Sequence, residues 1–386
     1  MDSYNERLDR VYTTLYHKEP DIVPLFIGFG TYAIGYADAR VEEMEADWKK
    51  EVEIYLKPHE RLYADAVYTA GLVFDSTFAR CIGSPAHFIS EDGQTVQHHE
   101  QSPMQEDEYD QLIADPEKFI FNVCLPRTAK KLAGTTAEKK ESILSFMQHL
   151  GDKTMAWNTI TERLKSEYNR PVLASGAFAY PPMDILFDYL RGFKGIATDM
   201  RRQPEKLLAG IEALEDFAWK FMGINDDTKS LPEFPPFATM FHVPTFLSPK
   251  QFETFFMPSY ERMTNRINEL GGKLIMFLEG KWDNKYDYLS NMSKNFAFGI
   301  VEGDDIFEAK KRIGDTICLI GGMPLQTLKY GTPEQCKDYA KRVVDECAPG
   351  GGFLFGTSRE LLSKGDLNYE NLVETYDFVH NYGKYR

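Results

Sequence analysis

The chain has 386 residues, 43% of them hydrophobic, a formal charge of −15 and five cysteines. That acidic balance excludes a nucleic-acid binder, which needs clustered Lys and Arg to neutralise phosphate, and gives no support for docking on anionic lipid. No run approaches the roughly 18 apolar residues of a membrane span and residues 1–7 lack a signal peptide's apolar core; five cysteines without a CxxC pair point to a reduced, cytoplasmic chain.

In chain order, residues 6–17 predict a helix that ends before Pro20. Residues 21–28 follow as a first strand, with an aromatic, glycine-rich loop over 28–35 beyond its end. Helical spacing returns over 41–55, and 64–73 is apolar enough for a second strand ending near Asp75. Residues 90–101 alternate around a glycine and predict a hairpin. The polar stretch 106–134 contains an Asp115-Pro116 helix start, and 137–168 contains long helical patterns. A strand over 171–178 leads into the loop 179–183, then helices over 185–191 and 196–222, with Pro204 opening the longer part.

Three short apolar runs come next, each ending on a polar residue. Phe237-Ala-Thr-Met-Phe241 runs into His242, Lys273-Leu-Ile-Met-Phe-Leu278 into Glu279, and Phe296-Ala-Phe-Gly-Ile-Val301 into Glu302. A helix over 248–270, stopped by Gly271-Gly272, separates the first two, so the strands are expected to be parallel. The chain closes with a helix over 305–312, a strand over 316–320 ending at Gly321-Gly322, and a helix from Thr332-Pro333 to about Cys347. A last strand over 350–355 and a helix over 369–382 complete it. About eight strand candidates alternating with helices imply an α/β fold, a (β/α)8 TIM barrel, as one domain over 1–386 with an N-terminal helical segment and an insert around 90–150. An open doubly wound sheet is the competitor, but no GxGxxG or P-loop motif follows a strand.

In such a barrel the reactive groups stand at the C-terminal ends of the strands. That rule selects His242, Glu279 and Glu302, with Asp304 and Asp305 just beyond, and more weakly Asp75, Ser358 and Arg359. A carboxylate placed directly after an apolar run, as Glu279 is, is costly to bury without a partner. His242, Glu279 and Glu302 together could hold Zn²⁺ with one position open for substrate. Alternatively, a Glu raised in pKa by apolar walls donates a proton to a leaving group. The wide spacings do not choose between these uses, and a core histidine bonded to a carbonyl is the plainer reading of His242. His98-His99 reads as a solvated hairpin face. Phe29, Tyr32, Tyr36, Phe178 and Tyr180 flank strand ends and suit a substrate-pocket wall as well as ordinary packing.

Several segments in order resemble the uroporphyrinogen decarboxylase superfamily, and within it the corrinoid-dependent methyltransferase branch. They begin with Arg7-Leu-Asp-Arg10 and His17-Lys-Glu-Pro-Asp-Ile-Val-Pro24, and continue through Phe187-Asp-Tyr-Leu-Arg-Gly192, Gln203-Pro-Glu-Lys206, Ser248-Pro249 and Phe256-Met-Pro-Ser-Tyr260. Ala309-Lys-Lys-Arg-Ile-Gly314, Gly331-Thr-Pro-Glu334, Ala348-Pro-Gly-Gly-Gly-Phe353 and Tyr382-Gly-Lys-Tyr385 complete the likeness, which spans the chain apart from roughly 90–150. The resemblance implies a TIM-type barrel that decarboxylates a porphyrinogen or moves a methyl group to or from a cobalt corrinoid carried on a separate protein.

The decarboxylases of this superfamily hold their substrate with arginines in the loop after the first strand, and here 28–40 has no arginine before Arg40. The thiol-methylating members bind zinc through a His-x-Cys pair and a later Cys, positions that fall on Phe277, Glu279 and near Arg359. What the resemblance leaves is an O-demethylase: methyl transfer from a small methoxylated aromatic to cob(I)alamin on a partner corrinoid protein, with Zn²⁺ possible at His242, Glu279 and Glu302. Gly321, Gly322 and Ser358 are then the expected cofactor-facing positions. A decarboxylase-like enzyme acting on a porphyrin or non-porphyrin acid is the second expectation, and a non-catalytic corrinoid-protein partner the third. A homo-oligomer is compatible with all three.

Overall fold

The structure is a computed structural model that describes residues 2–71 and 75–385. Seven parallel strands form one curled sheet: β1 (Leu25–Ile27), β2 (Ala66–Val67), β5 (Phe237–Met240), β6 (Leu274–Leu278), β7 (Ala297–Val301), β8 (Cys318–Met323) and β9 (Phe353–Thr357). Their order is β2-β1-β9-β8-β7-β6-β5. The hairpin β3 (His87–Ile89) and β4 (Val96–His98) is antiparallel and separate from this sheet, as the alternation predicts. Helices connect successive strands, which parallel pairing requires.

The expected strand over 171–178 is not a regular strand. Proline at 171 has no N–H to donate, yet the segment bonds to both edges of the sheet. Val67 donates its amide to the Pro171 carbonyl at 2.9 Å, and Leu173 returns a bond to Val67 at 2.9 Å. At the other edge, Ala238 donates to Ala177 at 3.1 Å and Ala179 to Ala238 at 2.8 Å. The second expected strand, 64–73, is regular only over Ala66–Val67, and its residues 72–74 lie outside the described residues.

Side chains on the inner face of the sheet, among them Phe26, Ile275, Phe298, Ile320 and Leu354, form one buried cluster. A larger cluster fills the layer between sheet and helices. The helix Tyr4–Leu15 opens with a Ser3–Glu6 capping box and sets Tyr12 edge-on against Phe298. The helix predicted over 196–222 is three pieces, Gly192–Arg202, Pro204–Ala213 and Glu215–Phe221; Pro204 lacks the N–H a continuous helix would need. The 106–134 region is a run of short helical turns, and Thr136–Tyr168 is one 33-residue helix.

Candidate active site

Strand register brings the central residues together. Met240 lies opposite Phe277 across β5 and β6, so His242 and Glu279, each two residues further on, leave the sheet side by side. Leu278 lies opposite Val301 across β6 and β7, which sets Glu302 next to Glu279. His242 Nε2 is 3.6 Å from Glu279 Oε2, and the two side chains are 30% and 40% exposed, so the pair opens to solvent.

Two residues that the sequence did not single out complete the arrangement. The turns Pro182–Ile185 and Leu186–Arg191 carry Asp184 and Asp188. Four positions apart, they point to one side of a helical segment. Asp188 Oδ2 bonds His242 Nδ1 at 2.8 Å and accepts the Tyr180 hydroxyl at 2.6 Å. Asp184 is fully buried: its Oδ1 accepts the Val243 amide at 2.8 Å, and its Oδ2 has no partner. The signal was present in Pro182-Met-Asp-Ile-Leu-Phe-Asp-Tyr-Leu190, where only two carboxylates interrupt an apolar and aromatic run.

The electrostatics follow from this packing. Burial alone would lower the His242 pKa; the Asp188 bond and the charges of Asp188, Asp184 and Glu279 outweigh it and raise it to about 9. The imidazole is therefore protonated at neutral pH. Burial pushes the Asp184 carboxyl well above its ordinary range and the Asp188 charge adds to the rise, while the His242 charge and the Val243 amide oppose it. Burial also raises Glu279; Glu302 and Asp188 add to the rise and His242 opposes it. The result is an imidazolium whose Nδ1–H is held by Asp188 and whose Nε2–H faces the opening.

Glu302 is turned toward the chain, its Oε2 accepting the Gly280 amide at 2.8 Å. Asp304 accepts from the Trp282 amide and the Tyr286 hydroxyl, both at 2.8 Å, and Asp305 caps the helix Ile306–Ile313. Among the described residues no group of three or more His, Cys, Asp or Glu is gathered to hold a metal ion. Asp75 caps the helix Ser76–Ile82 and bonds His149 at 2.7 Å, a structural pair.

The aromatic candidates divide. Tyr180 belongs to the site through Asp188, and Phe178 pairs with Ala238 beside β5. Phe29 and Tyr32 are buried and stacked on each other, and Tyr36 packs on Tyr369. A different aromatic group lies close in sequence to the site residues: Phe246, four residues after His242, stacks on Phe187, which precedes Asp188, at 5.7 Å and meets Phe193 edge-on at 5.0 Å, with Phe193 and Phe246 largely exposed. Gly321 and Gly322 are buried within β8, and a side chain on Gly322 would strike Val343 of the helix behind it. The Ser358 amide bonds Met323 at 2.9 Å. At Gly322 the absent side chain allows close packing of that strand on the helix behind it.

A curled parallel sheet wrapped by helices, with titratable groups at its C-terminal edge, defines an α/β barrel-like enzyme fold. The chain belongs to the uroporphyrinogen decarboxylase (URO-D) family, whose model matches residues 157–382. In three dimensions it is similar to a methyltransferase from Methanosarcina mazei, with a TM-score of 0.60 and 14% identity over 96% of this chain and 97% of that one. No curated protein matches it in sequence. No helix among the described residues is long and apolar enough to cross a membrane.

Proposed function

We propose that the protein is a methyltransferase that takes the methyl group of a methoxylated aromatic and passes it to a corrinoid on a partner protein. Family membership and the likeness to a methyltransferase support the class. The observation that carries the specific reading is the Asp188–His242–Glu279 line: a protonated imidazole, clamped from behind and open in front. In this reading the segment 171–179 occupies the eighth place of the ring, supported by its bonds to both sheet edges.

Phe246, largely exposed, stacked on Phe187 and four residues along the chain from His242, offers an aromatic face on which an aryl ring would stack. The corrinoid, when presented by its carrier, supplies the nucleophile that accepts the methyl carbon. The C–O bond breaks with its electron pair left on the aryl oxygen, and His242 Nε2–H donates a proton there, leaving a neutral imidazole. Asp188 keeps Nδ1 protonated and the ring oriented, as a carboxylate behind an imidazole does in acyl-transfer enzymes. Glu279 stabilises the imidazolium before transfer. No step is routed through zinc, because among the described residues no group of three or more His, Cys, Asp or Glu is gathered to hold it.

The test is methyl transfer from 2-methoxyphenol to free cob(I)alamin. His242→Gln is expected to lose about 10²-fold or more in rate, the usual worth of a positioned general acid, and Glu279→Gln a smaller factor. Full activity in both variants sinks the proposal. The URO-D match favours one other reading, decarboxylation, in which the same imidazolium protonates a carbanion. Release of CO₂ from uroporphyrinogen without demethylation of the ether would establish it instead.

A further inference from the structure

The C-terminal rim of the sheet has a second polar corner, away from His242. In the strand order, the ends of β1 and β9 stand four and three places from β6, which leads into Glu279. Glu360 follows β9, and its neighbour Leu361 ties that loop to the one after β1. The Leu361 amide donates to the Gly28 carbonyl at 3.0 Å, and the Gly30 amide donates to the Leu361 carbonyl at 2.8 Å. The two glycines leave the room that Glu360 occupies: a Cβ on Gly28 would stand 3.4 Å from its Cγ, and one on Gly30 3.2 Å from its carboxyl carbon. The Glu360 carboxyl is half-buried and has no hydrogen bond or ion pair among the described residues. Burial pushes it up to about 7. A carboxyl held out of water without a partner is costly, and such groups collect where ligands bind.

Tyr68, just past β2, adjoins this corner, its Cβ 3.3 Å from the same would-be Cβ on Gly28. Its ring lies 6.2 Å from Phe277, an inner-face residue of β6 two positions before Glu279, and its buried hydroxyl also has no partner. The nearby arginines in sequence are engaged elsewhere: Arg40 bonds the Asp92 carbonyl and Glu42, and Arg359 faces Asp366. The corner thus presents an acceptor without a cation, which suits a hydrogen-bond donor and not an acid. We propose that Glu360 is a specificity residue that accepts a hydrogen bond from a phenolic hydroxyl of the substrate, carried on the ring carbon farthest from the methyl ether. This assignment rests on the aryl-ether reading above and narrows it to para-methoxyphenols, with His242 at the ether end and Glu360 at the hydroxyl end. A ring of about eight strands is wide enough for packed side chains or one small ligand, so a single aromatic ring spans the rim. A site built to bond a substrate hydroxyl rejects an analogue that lacks it, because the site's own polar group is left unpaired. An aromatic acid would set a second negative charge against Glu360.

Isothermal titration calorimetry on the full chain, without corrinoid, tests this with para-methoxyphenol, para-dimethoxybenzene and para-methoxybenzoate. The wild type is expected to bind the phenol about 10-fold or more tighter than the other two, the usual worth of a hydrogen bond to a charged group. Glu360→Met should erase that preference and raise the urea midpoint, since it removes an unpaired carboxyl from an apolar place. Glu360→Gln keeps an acceptor oxygen and should retain part of the preference. A wild type that binds the three ligands alike, or a preference unchanged in Glu360→Met, overturns the assignment and leaves the aryl-ether reading standing. A Glu360→Met chain that is less stable and weakens all three ligands equally marks Glu360 as structural and overturns it too. A wild type that binds none of the three at millimolar concentration overturns both the assignment and the reading beneath it.

Discussion

At the scale of single residues, the chemistry depends on how neighbours set two proton affinities. His242 is held at about 9, above the roughly 6.5 of an unfolded histidine. The stabilising effect of its partners is therefore fully present below about pH 6.5 and is lost as pH rises through about 9. As a proton donor, His242 should give a rate that falls above about pH 9. Asp188→Asn removes the main support, so both the NMR titration of His242 and the falling limb of the rate should move to lower pH. An unmoved limb would mean that another group carries the proton. Asp184 shows the opposite sign: its folded-state pKa is far above the unfolded value, so folding takes up a proton and stability declines as pH rises past about 4. Asp184→Asn, a near-isostere of the neutral acid, should remove that decline. Urea midpoints at pH 5 and pH 8 are expected to differ less in the variant than in the wild type.

At the scale of elements, the site rests on two loops that touch. Glu279 and Glu302 end neighbouring strands, and Gly280 and Gly303 follow them. Gly303 donates its amide to the Gly280 carbonyl at 3.0 Å, and a Cβ on Gly303 would come within 2.4 Å of that oxygen. No side chain fits there without separating the loops. Gly303→Ala should cost about 1–3 kcal/mol, the usual range for overpacking, read as a lower urea midpoint. Because Glu302 bonds the Gly280 amide, the same variant should also reduce activity by displacing Glu279. An alanine variant of wild-type stability and rate would show that the loops tolerate separation.

At the scale of the whole molecule, the N-terminal helix is locked to the sheet by a buried ionic network. Arg10 bonds Asp21 at 2.7 Å and Asp65 at 2.5 Å, while Asp65 also accepts the Leu25 amide at 2.8 Å. One guanidinium thus joins the first helix, β1 and the entry to β2. Removing it leaves the fully buried Asp65 carboxylate without its counter-ion. Arg10→Met should then cost about 3–5 kcal/mol, as breaking a buried pair does, measured by chemical denaturation. The five cysteines play no comparable role: all are free, and four of them are buried.

Much of the architecture was legible in the chain alone. Apolar runs of five or six residues ending in His242, Glu279 and Glu302 fix strands, their parallel sense and the polar groups at their ends, because burial on both faces leaves a continuous hydrophobic signature. The sequence likewise marked the hairpin, the cap at Thr332 and a helical pattern over 137–168. Tertiary structure alone decided which side chains meet. Asp188 and Asp184 sit in a helical stretch that local pattern reads as packing, and only the chain's return beside β5 brings them to His242. Glu302 lies next to Glu279 by register yet turns to a backbone amide, since orientation depends on a close contact between two glycines that periodicity cannot report. Secondary structure is written in short-range spacing, whereas proton affinity is set by groups distant in sequence that folding places a few ångströms apart.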